Sequence, residues 1–499
     1  MESVDLLYKE FVATVHKHVP DAYFDLLENA FQFAKEKHKN QQRHSGEPYM
    51  IHPVHVATNL ARINMDSYAM AAGLLHDTLE DTDATYEELV ELFGKEVADL
   101  VEGVSKLRMI EFKEDTQYIE NLRKLVIATA KDIRVIIIRL ADRLHNMQTL
   151  EYLDTKRQQR IAHEVLEIYA PLAHRLQIGQ LRGPLEDWAF KYTNPQEHRW
   201  LYNVTRKNYV EHEQNLQEAK SHIKDLLAHE GVEVLRITHR IKHLYSLYKK
   251  LLRHNNEFST IYDLVALRVI VPKISDCYAA LGHIHREYKP MKGRIKDYIA
   301  HPKANGYTSL HTTVILENGY NIEVQIRTPE MDSQAEFGIA AHWQYKEGNS
   351  YPHRPLQVSW VKELAKIIQE IKDPKDLESV KLDLFKHRIF AMTPKADVID
   401  LPEDSTAIDF AYHIHTDVGN QAVKARINGN IKPIDTVLQN GDIVEIITDK
   451  KRKGPSLKWL KTAKTNYAKS KIKHYNRKKL TAWEQQLEEQ DLKSKKNKN

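Results

Sequence analysis

One cysteine, Cys277, is all the sulfhydryl chemistry that the 499 residues carry, so no disulfide can close within the chain and no Cys-rich zinc ribbon can be built. Nowhere is there a run of about 18 apolar residues, and the opening MESVDLLYKEF holds acidic residues where a secretion signal would have an apolar core. The expectation is a cytoplasmic protein that is neither secreted nor membrane-spanning. The sequence contains no GxxxxGK[ST] phosphate loop, no repeat of 20–50 residues, and no low-complexity segment except the terminal KSKKNKN. Glycine and proline are modest at 17 each, beside 42% hydrophobic and 28% charged residues. That composition suits ordinary globular domains, roughly three or more at this length. The net charge of +4 hides an asymmetry: residues 450–499 hold 17 Lys and Arg against 4 Asp and Glu, a balance of +13 that leaves −9 for residues 1–449. Such a basic end either docks on phosphate-rich nucleic acid or is a solvated terminus.

Residues 1–190 carry apolar spacing near 3.6 in YAMAAGLLHDTLED, EELVELFGKEVADLVEGVSKL and RQQRIAHEVLEIYAPLAHRL, which predicts an all-α domain. The helical pattern continues through a charged stretch to about residue 255. IYDLVALRVIV, TSLHTTVIL and NIEVQIR then read as strands of a second, mixed domain. Residues 346–384, opening with EGNSYPHRP, read as a connector. A small α+β unit of about 60 residues follows, with IFAMTP, DVIDLP, AVKARINGNI and DIVEIIT around the helical TAIDFAYHIH and a turn at Asn428–Gly429.

In the helical half, His52 before Pro53, the adjacent His76 and Asp77, and Asp142 in RLADRLHN form a mixed nitrogen and oxygen set suited to Mn²⁺, Fe²⁺ or Zn²⁺. In HDTLED, His76 and Glu80 are four apart, as are Asp77 and Asp81, so a helix would stack the acidic pair beside the metal. A metal with a neighbouring carboxylate to orient water or carry its proton is the apparatus of phosphate ester hydrolysis. The ordered combination of His, adjacent His-Asp and later Asp is similar to the signature of the HD phosphohydrolases.

A second constellation lies in RIKHLYSLYKKL, where Arg240, Lys242, Lys249 and Lys250 accompany His243 and Ser246 at what reads as the start of a helix. Clustered guanidinium and ammonium groups suit a polyphosphate. Lys292, Arg294, Lys296 and Lys303 follow, interleaved with Tyr298 and Tyr307, a mixture that can clamp phosphates while a base stacks. Asp263 and Glu323 lie on otherwise apolar strand-like runs, where carboxylates near many cations can hold Mg²⁺ and activate a hydroxyl for phosphoryl transfer.

With these motifs together, the chain from about residue 20 to 475 resembles the long RelA/SpoT homologues, bacterial enzymes that make and degrade the alarmone (p)ppGpp. RHSGEPYMIHP, LLHDTLEDT and IRLADRLHNMQTL resemble the family's hydrolase motifs. HRIKHLYSLYKK, YDLVALRVI, GRIKDYIAHPKANGYTSLHT and EVQIRTPEMDSQAEFGIAAHW resemble its synthetase motifs. The resemblance implies a multidomain fold: an all-α HD-type hydrolase domain over 1–195, an α+β nucleotidyltransferase-like synthetase domain over 196–345, a linker over 346–385, a small α+β TGS domain over 386–449, and a basic, partly helical segment over 450–499.

It also implies roles. His52, His76, Asp77 and Asp142 hold Mn²⁺, Glu80 and Asp81 assist the water that attacks the 3′-pyrophosphate, and Arg43 and Asn146 meet the nucleotide. His44 departs from the family, where a lysine is frequent. In the synthetase, Asp263 holds Mg²⁺, Glu323 helps activate the acceptor hydroxyl, and Arg240, Lys242, Lys250 and Lys303 bind phosphates. Tyr307 stacks on guanine beside Asn305, and the tetrapeptide RIKD from Arg294 is of the basic, bifunctional kind. His415 in AYHIHTD matches a histidine implicated in contact with uncharged tRNA on the ribosome. The zinc-finger-like and ACT modules of long members are missing, which fits either an engineered truncation or a naturally short member. The expected function is bifunctional: Mn²⁺-dependent hydrolysis of (p)ppGpp, and Mg²⁺-dependent pyrophosphoryl transfer from ATP to GDP or GTP. Two alternatives stand beside it, a single activity with the other domain as nucleotide sensor, or a regulator that binds ribosome and tRNA.

Overall fold

The computed structural model describes residues 3–108, 124–125, 127–129, 131–253, 265–302, 306–316, 319–342, 388–394, 398–439, 441–452 and 454–477. The chain forms two compact units, Met1–Glu370 and Ile371–Asn499.

The first unit begins with α1 (Val4–His18), α2 (Phe24–Lys37), α3 (Ile51–Arg62), α4 (Ser67–Leu75), α5 (Thr78–Asp81), α6 (Tyr86–Arg108) and α7 (Ile133–Gln148). α4, SYAMAAGLL, has no polar side to offer water and is enclosed by its neighbours, with Ala69, Met70, Leu74 and Leu75 fully buried. Asp66 starts it by accepting a hydrogen bond from the Ala69 amide at 2.7 Å. At Gly73 a side chain would meet α3, because a Cβ there would lie 2.7 Å from Leu60 Cδ1. α7 buries Ile136, Ile137 and Ile138 together, so it too runs through the interior, carrying Asp142 with it.

Next come α8 (Thr155–Glu164), α9 (Ala170–Arg175), α10 (Gly179–Thr193) and the 35-residue α11 (Pro195–His229). α10 packs on α7 and also on two helices of the mixed region, α12 (Leu244–Arg253) and α14 (Pro329–Phe337).

The mixed region is built on six strands, β1 (Arg236–Ile241), β2 (Val265–Ile270), β3 (Lys289–Pro290), β4 (Lys296–Asp297), β5 (Leu310–Ile315) and β6 (Asn321–Arg327). Their order is β1-β2-β6-β5-β3, with β4 also on β5; β2 and β6 run parallel and the other pairs antiparallel. β2 is buried along its whole length, as its uninterrupted apolar VAL and VI demand of a central strand. α13 (Ile274–Glu287) packs on β5 and β6.

β1 corrects the helical reading of residues 200–255. RITHRI has β-branched residues at Ile237, Thr238 and Ile241 and pairs antiparallel with β2 from Arg236 to Ile241, so Arg240 stands on a strand and the helix starts only at Leu244. Charge-rich flanks gave the segment a helical look, and sheet pairing overrides such weak local preference.

Cys277 lies on α13, fully buried, and burial, with Asp276 adding to it, pushes its thiol up to about 12. A thiol that is neither exposed nor ionised is a poor nucleophile. Native protein at pH 8 is expected to take up no maleimide label over minutes, and guanidinium-unfolded protein one equivalent, read by mass spectrometry.

The second unit contains β7 (Arg388–Met392), β8 (Val398–Pro402), α15 (Ala407–Ile414), α16 (Thr416–Gln421), β9 (Ala422–Ile427), β10 (Asn430–Pro433) and β11 (Val444–Thr448). β7 pairs with β8, and β9 is central between β10 and β11. The turn expected at Asn428–Gly429 joins β9 to β10 with both φ angles positive, 50° and 83°.

The basic segment after residue 450 is folded as far as it is described. α17 (Trp459–Thr462) and α18 (Asn466–Tyr475) place Trp459, Ala463, Ala468 and Ile472 in the same core as Phe410 and Tyr412. Asp409 ties the two parts together. Its fully buried carboxylate accepts from the Thr406 amide (2.8 Å) and hydroxyl (2.8 Å), and from the Lys464 amide (3.0 Å), the Thr465 amide (2.7 Å) and the Thr465 hydroxyl (2.8 Å). Replacing Asp409 by Asn turns one acceptor oxygen into a donor facing donors, and is expected to cost roughly 3 kcal/mol. Hydrogen exchange of amides in 405–476 should accelerate in that variant, with the first unit unchanged.

Candidate active sites

The hydrolase ligands expected from sequence converge at the centre of the helical region. His52 stands in the first turn of α3, where Pro53 is tolerated because its missing N–H has no helical partner to lose. His76 and Asp77 fall between α4 and α5, so the helix breaks between the expected stacked pairs instead of running through them. One nitrogen of each imidazole and one oxygen of Asp142 lie within 4.8 Å of each other, all buried. Asp77 Oδ2 is 3.2 Å from His76 Nε2 and 3.7 Å from His52 Nε2.

The hydrogen bonds fix what this cluster offers. His76 Nδ1 lies 2.8 Å from the Gly73 carbonyl, which only accepts, so Nδ1 is the donor there and Nε2 is left to face the cluster. That Nε2 is buried and makes no hydrogen bond. Burial, with the nearby Arg43 charge among its allies, brings His52 down to about 4. Burial alone would raise Asp142, yet Arg139 at 2.6 Å and His52 override it and hold the carboxyl well below its usual range. Imidazole nitrogens beside an ionised carboxylate are the kind of donor set a divalent cation takes.

Around these ligands lie Arg43 and Asn146, both expected from the sequence, and three side chains that nothing in the sequence marks, Tyr49, Arg139 and His145. His145 Nδ1 is 2.8 Å from His52 Nδ1 and orients that ring, its own basicity depressed by burial. Arg139 and Asn146 Nδ2, both at 2.6 Å, hold the two oxygens of Asp142. The Tyr49 hydroxyl lies 2.7 Å from Asp77 and 2.9 Å from Asp81, drawing those carboxylates together. A turn through Gly46 (φ 82°) presents Arg43, whose guanidinium reaches Asn146 at 3.1 Å and Thr149 at 3.2 Å. Arg43, His44, Arg143 and Arg160 line a hollow of about 420 Å³ that opens over the ligands and continues into a second of about 510 Å³. Glu80 is half-buried on α5. The arrangement offers a metal cradle under a cationic roof, suited to a polyphosphate.

The second cleft, about 560 Å³, has Arg240, Lys242, Ser246, Lys250, Arg294, Lys296, Tyr298, Tyr307 and Glu323 in its walls. Lys249 is not in the lining but pairs with Glu186 of α10, which is, at 3.1 Å. Lys292 is not in the lining. Glu323 on β6 is 2.7 Å from His311 Nδ1, and His311 Nε2 is 2.7 Å from the Tyr307 hydroxyl. Asp263, Lys303 and Asn305 lie outside the described residues. In the second unit, His415 is exposed and its Nδ1 accepts from the Asp417 amide at 3.2 Å, capping α16.

A helical domain with a buried His/Asp cluster, a mixed domain with a cationic cleft and a small α+β module define a multidomain nucleotide-type architecture. Three family models match its parts: HD domain over residues 30–179, the region found in RelA / SpoT proteins over 239–350, and TGS domain over 389–448. The chain is 45% identical over 468 residues to a GTP pyrophosphokinase of Myxococcus xanthus, covering 93% of this chain and 62% of the relative. It is 46% identical over 465 residues to a guanosine-3′,5′-bis(diphosphate) 3′-pyrophosphohydrolase of Aquifex aeolicus, covering 92% and 66%. It is 42% identical over 471 residues to the bifunctional (p)ppGpp synthase/hydrolase SpoT of Escherichia coli, covering 94% and 67%. The chain therefore belongs to the RelA/SpoT family, and spans about two thirds of the length of these relatives.

Proposed function

We propose that the chain is a bifunctional alarmone enzyme of the bacterial stringent response, acting in the cytoplasm, with opposed reactions in the helical and mixed domains. What carries the reading is the coexistence, in one compact unit, of a buried cluster of metal-ligand type and a separate cation-lined cleft with a strand-borne carboxylate.

In the helical domain (1–195), (p)ppGpp is hydrolysed to GDP or GTP plus pyrophosphate. His52, His76, Asp77 and Asp142 would hold Mn²⁺, which supplies positive charge for the phosphoryl oxygens and lowers the pKa of water. Glu80 and Asp81 receive the proton of the attacking water, and Arg43 with Asn146 orients the nucleotide. His44, an imidazole where the family frequently has lysine, weakens phosphate attraction without touching the ligands.

In the mixed domain (196–345), the 3′-oxygen of GDP or GTP attacks the β-phosphorus of ATP. A new O–P bond forms, the bond from that phosphorus to the α–β bridging oxygen breaks, AMP leaves, and the hydroxyl proton passes to Glu323. Arg240, Lys242, Lys250 and Lys303 hold phosphates, Tyr307 stacks on guanine beside Asn305, and Asp263 would hold Mg²⁺, whose charge assists transfer. The TGS module (386–449) and the basic segment after it dock on uncharged tRNA and ribosomal RNA through His415 and clustered lysines.

Two opposed reactions in one chain run a futile cycle unless one site is competent at a time. α10, packed on α7 and on α12 and α14, is the shared element through which nucleotide in one domain disfavours the working form of the other. Identical small-angle scattering with ppGpp and with GDP plus an ATP analogue would remove this part of the reading. The deciding experiment separates radiolabelled nucleotides after incubation with ATP, GDP and Mg²⁺, and with ppGpp and Mn²⁺, for the wild type, Asp77→Ala and Asp263→Ala. Each substitution should abolish one reaction and spare the other. Loss of neither activity overturns the residue roles, and a wild type active in one direction only makes the silent domain a nucleotide sensor.

A further inference from the structure

Two carboxylates that the reaction scheme leaves unused, Asp332 and Glu336, stand four residues apart on α14 and so share a face. Four arginines from three strands converge on them. Asp332 meets Arg236 of β1 at 2.7 Å, Arg268 of β2 at 3.1 Å and Arg327 of β6 at 3.3 Å. Glu336 meets Arg268 at 2.6 Å and Arg240 at 3.8 Å, and its other oxygen accepts from Gln180 of α10 at 2.7 Å. Arg327 is the largest fully buried side chain among the described residues. Burying so many charges is weak as a source of stability compared with apolar packing of the same volume. What such a network provides is fixed geometry.

Both ends of the network emerge in the cleft. One end is Arg240, which lines it. At the other, Arg327 donates to the Tyr307 hydroxyl and its guanidinium lies 5.0 Å over the Tyr307 ring. The contacts continue from there: the Tyr307 hydroxyl lies 2.7 Å from His311 Nε2, and His311 Nδ1 lies 2.7 Å from Glu323. An unbroken line of polar contacts thus runs from Arg240 through Glu336, Arg268, Asp332, Arg327, Tyr307 and His311 to Glu323.

We propose that Asp332 and Glu336 are positioning residues for pyrophosphoryl transfer: through their arginines they hold the donor-phosphate cation Arg240, the base platform Tyr307 and the proton acceptor Glu323 in one register. The inference rests on the synthetase reading of this cleft. Donor and acceptor nucleotides bind to different ends of the line, so a shift between the ends separates the attacking oxygen from the phosphorus without emptying either subsite.

The sign of the charge supplies a test that a structural role would not pass. Four guanidiniums on two carboxylates leave an excess of positive charge, so Glu336→Gln makes the cleft more attractive to phosphate while loosening Arg240 and Arg268. With the full chain assayed in Mg²⁺ without Mn²⁺, Glu336→Gln is expected to keep KM for ATP within about twofold or lower it, and to drop kcat by on the order of tenfold or more. Glu336→Asp, which keeps the charge, should recover most of that loss. Tyr307→Phe, which keeps the ring and cuts the line at its hydroxyl, should leave GDP affinity by calorimetry within about twofold and lower kcat about tenfold. Unchanged kcat in either neutralising or cutting variant, or KM rising in step with falling kcat and melting temperature, overturns the proposal. A wild type that binds neither GDP nor a non-hydrolysable ATP analogue overturns the synthetase reading itself, a separate outcome.

Discussion

Replacing His76 by glutamine is expected to lower hydrolysis of ppGpp by at least about a hundredfold, since even groups that merely orient a metal ligand are worth 10- to 100-fold. The size of the effect follows from how completely His76 is committed. Its Nδ1–H is spent on the Gly73 carbonyl at 2.8 Å, and its Nε2, buried and without a hydrogen bond, has no other use than to face the cluster with His52 and Asp142. Glutamine can still donate toward the carbonyl, so α4 keeps its end, but it has no imidazole lone pair to offer. Titration with Mn²⁺ followed by electron paramagnetic resonance should show the high-affinity site lost, while ATP and GDP turnover in Mg²⁺ stays within about twofold. If Mn²⁺ binding were unchanged, His76 would not be a ligand.

The largest stability effect is expected at Gly338, which closes α14. Its φ of 55° and ψ of −126° lie where L side chains are excluded. A Cβ there would also stand 2.3 Å from the Leu176 carbonyl oxygen and 2.5 Å from the Gln177 carbonyl carbon. Those are backbone atoms that cannot rotate away, and the Ile339 amide donates to the same Leu176 carbonyl at 3.1 Å. Gly338→Ala is therefore expected to cost about 3 kcal/mol or more, backbone strain and overpacking together. Thermal unfolding of the first unit should move down by several degrees, and synthesis should fall with it, because α14 carries Asp332 and Glu336. A melting temperature unchanged in Gly338→Ala would mean the junction between α9 and α14 yields more easily than its contacts indicate.

What the sequence disclosed differed from residue to residue for physical reasons. That His52, His76, Asp77 and Asp142 gather was readable because a ligand-type set admits few residue types, and because they sit beside apolar helices whose periodicity survives in the letters. β2, β5 and β6 were readable from unbroken or alternating β-branched runs. β1 was not, since RITHRI is short, charged and preceded by a 35-residue helix; only its pairing with β2 makes it a strand. Tyr49, Arg139 and His145 were missed because their roles are contacts across folded distance, with nothing in their own spacing to mark them. Asp332 and Glu336 lie inside a motif that was quoted whole, yet their partners come from three strands that no local window joins.

The knot at Asp409 bears on where one piece of this chain stops and another begins. Its donors come from Thr406 on one side of β9 to β11 and from Lys464 and Thr465 on the other, while the matching TGS segment ends at residue 448. A fragment cut at that border would leave the buried Asp409 carboxylate without three of its five donor groups and strip Trp459, Ala463, Ala468 and Ile472 from the core they complete. The inherited module and the cooperative folding unit thus have different edges, and a recombinant piece meant to stand alone has to run to about residue 477.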